Sequence, residues 1–335
     1  MFSKRQLLKG GLWLIGILIL ALLPFIIRNA YHLQVLIMLF WYAYLAICWN
    51  WVGGFAGQFS MIHGTFVGVG GYTSTLLFLN FGLTPFIGMV LGGVLAALLS
   101  IIVSYPCFRL RGIYFALSTM AFGLSIQILF MNTYSVWGIK INGADGLSIL
   151  PRDSFVLFQS TSKVPYYLVI LALLVGVLAL SAGIRHSKLG YYLTAINENQ
   201  ESAESLGINS SRYKLMAFMI SAFFSAIGGT FYAQLMLIID PGRIMGIDFS
   251  IELGLMSILG GMQSIWGPLL GASIIVPTSE YLRAFLGSKY AGSHLAIYGL
   301  MLMVMVIYFP RGLSEFINIG IARIRTALGK SEPVI

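Results

Sequence analysis

Side chains able to do chemistry are sparse in this 335-residue sequence, and they fall in a few places. Gly53, Gly54, Gly57, Gln58, Ser60 and His63 interrupt an otherwise apolar stretch. Gln58 offers two amide donors and an acceptor to a polar solute. His63 could titrate or bind a metal, but no second His or Cys stands at ligand spacing, so a structural hydrogen bond is the expected role. A second interruption, Gly260-Gly261 followed by Gly267-Pro268 and Gly271, carries Gln263 and Ser264 as its polar members. Three carboxylates, Glu198, Glu201 and Glu204, recur at three-residue intervals in a polar loop. Glu280 and Arg283, three apart, suit neutralisation on one helix face. Asp248 and Glu252 are read as solvated near the outer end of a span, and Asp240-Pro241-Gly242 as an outer turn. There is no serine-hydrolase elbow and no His-Glu-x-x-His pair. Gly329-Lys330-Ser331 looks like the end of a phosphate-binding loop, but the first glycine would fall at Ile324. No catalytic constellation emerges.

The elements that must carry these residues follow from composition. Apolar residues make up 58% of the chain and charged ones 9%, with a mean hydropathy of +0.89. A soluble domain carries about 25% charged residues, so a soluble enzyme, a nucleic-acid module and a disordered chain are all excluded. The net charge of +9 does not imply nucleic acid, because Lys and Arg sit between apolar runs, as loops beside anionic lipid require. The runs are continuous and do not alternate, which rules out a β-barrel. Cys48 and Cys107 give no disulfide framework.

The expected fold is all-α and polytopic: ten spans at about 11–27, 31–52, 64–80, 84–106, 112–131, 165–183, 214–236, 250–266, 268–288 and 293–310. The first run, behind Lys4, Arg5 and Lys9, is too long for a signal-peptide core and reads as an uncleaved span. Ten spans place both termini on one side. Thirteen Lys and Arg then fall inside and seven outside, so both termini are expected in the cytoplasm. The chain reads as one transmembrane domain, 1–335, with an external loop at 132–164, a cytoplasmic loop at 184–213 and a cytoplasmic tail at 311–335. The run 250–288 is where a re-entrant or broken helix is expected. The glycine-rich stretches 53–71 and 260–271 lie late in each half, an echo of an inverted repeat.

Unpaired backbone in lipid costs several kcal/mol per group, so a broken helix survives only inside protein or beside water. Gly54, Gly57, Gln58, Ser60, His63, Gly260, Gly261 and Ser264 are therefore candidates for a translocation path. Close helix packing through Gly53-x-x-x-Gly57 and Gly64-x-x-x-Gly68, and a tight turn at 260–271, are the alternatives, and both kinds of role can hold together. In the cytoplasmic loop, Leu193 to Leu206 is expected to form one amphipathic helix. Its acids lie on one arc and Leu193, Ile196, Ala203 and Leu206 on the other. Gly207 would close it in a positive-φ conformation, and Asn209 or Ser210 would cap the next helix. Lipid-surface helices carry Lys and Arg on the polar face, so an acidic face points to a cytosolic protein partner.

Glu201-Ser202-Ala203 followed by Gly207 resembles the loop by which permeases of ATP-driven importers dock on their ATP-binding subunits, with Ser202 in place of the usual Ala. The longer stretch Gly190 to Asn209, then Tyr213-Lys-Leu-Met-Ala-Phe218, is similar to the permeases for branched-chain amino acids. Leu259 to Ala272 continues the match. So does an earlier block of Asn50, Gly54, Gly57-Gln58-Phe-Ser60, His63, Phe66, Gly68, Gly70 and Tyr72. The resemblance covers about 45–310 and is to the longer, M-type subunit. Gln263 and Met61-Ile62 depart from the expected pattern. The resemblance implies a bacterial inner-membrane permease moving branched-chain or other hydrophobic amino acids inward. It assigns Asn197, Glu198, Glu201, Ser202, Ala203, Glu204 and Gly207 to ATPase coupling. It implies no ATPase site and no cofactor on this chain, since ATP is bound by partner subunits. A second related permease, an extracytoplasmic solute-binding protein and the lipid bilayer complete the partners, with no nucleic acid and no metal. A urea or short-amide permease is the near alternative. An ion-coupled transporter would need ionisable groups mid-membrane, and the spans are read as having none at their centres. A membrane enzyme would need a reactive cluster.

Overall fold

The computed structural model describes residues 29–136, 138–150, 158–160 and 162–286, most of 16–27, and a few positions between 299 and 314. Most of the expected last span and of the tail, and the start of the first span, lie outside the described residues. Helix α1 is Ala30–Asn50, capped by the Asn29 side chain and prolonged by a π-helical turn, Trp51–Phe55. After a non-helical stretch come α2 (His63–Phe81), α3 (Pro85–Cys107) and α4 (Ile113–Asn132). The two-residue strands β1 (Ser135–Val136), β2 (Ile139–Lys140) and β3 (Leu147–Ser148) follow, then α5 (Val164–Arg185). Next are α6 (Lys188–Glu198), α7 (Gln200–Ser205) and α8 (Ser210–Met236), then β4 (Ile238–Ile239), α9 (Pro241–Ile244), α10 (Ile247–Gly260) and α11 (Gly267–Leu286). β1 pairs with β2 and β3 with β4, both antiparallel. The fold is all-α, as expected, and these strands only tie loops together.

Among the described residues, five rods are long and apolar enough to cross a membrane: Ala30–Phe55, Pro85–Cys107, Ile113–Asn132, Val164–Arg185 and Ser210–Met236. The first is the axis of the bundle. Its most apolar window is 89% buried, against 22–61% for the other four. Trp41, Trp49 and Trp51 on this axis are buried, and each indole N–H finds an acceptor, Gly228 O, Ser60 O and Ser181 Oγ respectively. The outer helices keep apolar side chains such as Val90, Ile102, Ile113 and Leu129 exposed, as a lipid-facing surface requires. The bundle has two ends. One carries α6 and α7; the other carries the strands.

Small residues set the closest crossings, as they do where no hydrophobic difference separates helix from lipid. A Cβ on Gly229 of α8 would stand 1.8 Å from Val67 O of α2, and one on Gly70 would stand 2.1 Å from Ala226 O of α8. Gly92 of α3 packs against Gly70 in turn. Gly64 and Gly68 do not pair with another long helix. They admit Ile244, Met245 and Ser250.

That last contact revises the expected span at 250–266. α10 has 14 residues, roughly 21 Å at 1.5 Å per residue, too short for a hydrocarbon core of about 30 Å. It lies beside the middle of the bundle. Phe249 stacks on Trp41 at 5.5 Å, Ser250 Oγ accepts from the Gly64 N–H at 2.9 Å, and Ser257 Oγ donates to Ala46 O at 2.9 Å. Trp41 and Ala46 are central in the Ala30–Phe55 rod. Asp248 and Glu252 therefore sit at mid-depth, not at an outer end. Asp240-Pro241-Gly242 follows β4 directly at the strand end, where Asp240 caps α9 and Gln127 of α4 donates to Gly242 O at 3.1 Å. Hydropathy registers length and polarity but not depth, and a half-helix followed by a turn reads as one continuous run. Glu280 and Arg283 pair at 3.9 Å, as their spacing implies.

Gly229→Ala tests the crossing of α2 and α8. Overpacking of this kind costs about 1–3 kcal/mol, so thermal unfolding in detergent should shift down clearly. Gly176→Ala, with nothing within 4 Å, should leave the transition unchanged.

Candidate functional site: a junction between the polar loop and two helix breaks

The polar loop is two helices, not one. α6 is capped by Ser187 and ends at Asn199, whose backbone is extended (φ −156°, ψ 105°). The Asn199 side chain accepts from Ser202 N and starts α7. An Asn can cap its own downstream turn more readily than it can continue a helix, and that signal stands in the sequence as Asn197-Glu198-Asn199. Glu198 is thereby separated from the arc of Glu201 and Glu204. Leu193, Ile196 and Ala203 are buried as expected, but Leu206 is 84% exposed. Gly207 has φ +83°, Ile208 N bonds Ala203 O and Gly207 N bonds Glu204 O, the pair of bonds that closes a helix at glycine. Asn209 then caps α8 by accepting from Arg212 N.

The three acids have different surroundings. Glu198 is exposed. Glu201 is also exposed and pairs with Arg111, from the connection between α3 and α4, at 2.9 Å. Glu204 hydrogen-bonds Ser210 and accepts from Gln200 Nε2 at 2.9 Å, while Lys214 Nζ donates to Gln200 Oε1 at 2.8 Å. The Ser210 hydroxyl, then Gln200, hold the Glu204 carboxyl below its ordinary range. This small network ties α7 to the start of α8.

Asn197 faces the other way, into the bundle. Its Nδ2 donates to Gly54 O at 2.9 Å. Gly57 has φ +66°, and a Cβ there would stand 2.1 Å from Asn197 Oδ1. Gly54 also meets the second interruption, since a Cβ on it would lie 2.9 Å from Gln263 N. Asn50 Nδ2 donates to Ser264 O at 3.0 Å, and the Arg185 guanidinium donates to Gln263 O at 3.1 Å. The structure thus brings Gly54, Gly57, Gly261, Ser264 and Asn197 to one place, at the end of the bundle that carries the loop. Gly260 and Gly261 form the turn itself, with Gly260 against Gly267 O and Gly261 beside Ser314. A cavity of about 50 Å³ lies between the parts, lined by Phe55, Arg185, Gly190, Thr194 and Gln263. It has room for water and polar groups to hold it.

The other sequence candidates lie nearby. Gln58 is half-buried and its backbone N–H bonds Val52 O, closing the π turn. His63 is buried, with Nδ1 3.2 Å from Ser60 Oγ and Nε2 2.7 Å from Ser221 Oγ. Ser221 donates to Cys48 O, so it accepts from His63 Nε2–H, and Ser60 donates to Nδ1. A neutral imidazole satisfies every atom of this chain, so His63 is a structural node. Among the described residues no group of three His, Cys, Asp or Glu could hold a metal. Sequence reasoning gave Asn50 no contact, although it stands in the block that resembles the family, and did not single out Arg185 or Arg111 as site residues. Asn50 and Arg185 act through backbone carbonyls far along the chain, and spacing carries no trace of such contacts.

Because Glu204 titrates lower when folded, the α7 network is fully present above the ordinary carboxyl value near 4.5 and is lost as pH falls through the folded value below it. Amide exchange in 200–210, compared with unstructured reference amides, should show constant protection from pH 7 to 5 and a drop under acid conditions. Glu204→Gln should remove that pH dependence.

Three relatives and one family model place this geometry. The high-affinity branched-chain amino acid transport system permease protein LivM of Escherichia coli (strain K12) is 31% identical over 330 residues, covering 91% of this chain and 75% of its own. LivM of Salmonella typhimurium is 30% identical with the same coverage. LivH, another permease protein of that system in Salmonella typhimurium, is 28% identical over 138 residues, covering 41% of this chain and 43% of its own. No solved structure matches the chain significantly. The model of the permease component of branched-chain amino acid transport systems matches residues 31–309. The chain belongs to that family, as a multi-pass membrane permease.

Proposed function

We propose that this chain is the membrane half of an ATP-driven importer. It moves branched-chain or other hydrophobic amino acids inward, and the junction around Asn197 transmits the closure of separate ATP-binding subunits to the spans. The observation that carries the reading is the Asn197–Gly54 contact. A loop with an exposed acidic and apolar surface is fastened by one side chain to the point where two helix breaks meet. A push on α6 and α7 then reaches α1, α2, α10 and α11 together, because Gly54, Gly57, Gln263 and Ser264 are their connecting residues.

The face offered to the ATPases is made by Leu206 at 84% exposure, Tyr191 at 65%, Glu198, Glu201 and Ser202. Leu206 explains itself poorly as part of this chain's own core and well as an apolar tip for a partner cleft. The end bearing α6 and α7 is accordingly cytoplasmic, with both termini on that side, in line with the Lys and Arg bias. A second related permease completes the bundle, and a soluble binding protein delivers substrate at the strand end. ATP is bound by the partners, with no cofactor on this chain. The substrate class is supported by the LivM relatives, which are permease proteins of branched-chain amino acid transport systems.

The test separates docking from transmission. Leu206→Asp should abolish co-purification of the ATP-binding subunits from gently solubilised membranes while leaving the chain inserted. Asn197→Ala should retain them, yet lower uptake at least tenfold relative to ATP hydrolysed. Retained ATPases with Leu206→Asp together with normal uptake for Asn197→Ala would sink the coupling role.

A further inference from the structure

α9 and α10 carry Arg243, Asp248 and Glu252 within ten residues, and α10 lies beside the middle of α1. Arg243 and Asp248 are exposed on the surface of this chain, and Glu252 is half-buried. Ionisable groups at such depth do not face hydrocarbon; they face protein or a water-filled path. The face that bears them therefore lies against the second permease or lines the route between the two.

Its chemistry is specific. The Tyr42 ring of α1 touches Phe249, one turn before Glu252, and this sets the Tyr42 hydroxyl beside the Glu252 carboxyl. Arg283 and Arg243 attract that carboxyl, and Glu280 repels it from the strand end. The Tyr42 ring, itself only partly buried, packs against Trp41 at 4.9 Å and Phe249 at 5.9 Å, which sets an aromatic wall beside the charges. The opposite face of α10 is turned into the bundle, where Gly254 packs directly on Trp49 and Phe59. The polar face lies on the side of Glu280 and Arg283, which pair near the strand end where Tyr31 and His32 meet Tyr281. A carboxylate with a phenol, a guanidinium nearby and an aromatic wall match the ammonium, the carboxylate and the apolar side chain of a zwitterionic amino acid.

We propose that Glu252 and Tyr42 hold the ammonium group of the transported amino acid midway across the bundle, with Arg243 taking its carboxylate. The proposal rests on the permease reading and names the residues of this chain that touch substrate. It also gives the α9–α10 re-entrant segment its purpose, which is to bring both signs of charge to mid-depth on a short element supported by Gly64 and Gly68 of α2.

The test uses the complete complex, this chain with its second permease and ATPases, reconstituted in vesicles and fed leucine through the binding protein. Uptake by the unaltered complex first checks the permease reading alone. Glu252→Gln should then raise KM for leucine at least tenfold with kcat within about twofold and subunit content unchanged, whereas a merely structural lesion would lower subunit content and kcat. Glu252→Cys should react with a membrane-impermeant charged thiosulfonate, and leucine should slow that reaction at least fivefold. Cys48 and Cys107 are buried and provide the unreactive background. If Glu252→Cys does not assemble, Asp248→Cys on the exposed turn carries the same measurement. An unchanged KM in Glu252→Gln, or a cysteine that is unreactive or indifferent to leucine, overturns the proposal while leaving the permease reading intact.

Discussion

Backbone that leaves a helix at membrane depth must find its hydrogen bonds inside the protein, since lipid offers none and each unmet group costs several kcal/mol. This chain has such breaks at 56–62 and 261–266, and a half-helix, α10, that starts inside the bundle. Their solution is mutual. Asn50 serves Ser264 O, Arg185 serves Gln263 O, Asn197 serves Gly54 O, and Trp49 serves Ser60 O. Side chains from α1, α5 and α6 share the two breaks, so a shift in one disturbs the next. A rigid bundle with the same sequence of spans would have no reason to route these bonds through a surface loop.

The same constraint separates the two ends by role. At the loop end, small residues and side-chain amides leave a cavity of about 50 Å³ and bonds to backbone that a modest displacement can break and remake. At mid-depth the crossings of α2, α3 and α8 are set by glycine backbone contacts with no room to slide. The aromatic axis of α1, with each indole bonded to a different partner helix or turn, links the two regions. Force applied to α6 and α7 has a stiff path through α1 and α2 and a compliant origin at the breaks, which is the arrangement a coupled pump needs.

Much of this was legible in the sequence. The apolar runs gave most of the helices to within a few residues, because apolar length decides a span and glycine, proline and asparagine mark its ends. The residues of both glycine-rich interruptions and the positive φ of Gly207 were also readable, since only special backbone or close packing calls for glycine there. Three things were hidden. The division of the loop at Asn199 was masked by an unbroken amphipathic pattern. The outward turn of Leu206 followed from that division. The mid-depth position of Asp248 and Glu252 depended on α10 being a half-helix, which only its contacts with Trp41, Gly64 and Ala46 establish. Sequence spacing records which residues share a helix face. It does not record which distant carbonyl an asparagine or arginine will meet.

The account stands on mechanical continuity from the loop to both breaks. The most direct measurement is amide exchange across this chain in the assembled complex, with the ATPases open and then trapped closed by ATP and vanadate. Closure should change exchange in 188–207 and, in parallel, in 51–60 and 258–266, with α3 unchanged. A change confined to 188–207 would contradict the account, because the loop would then move without carrying the breaks.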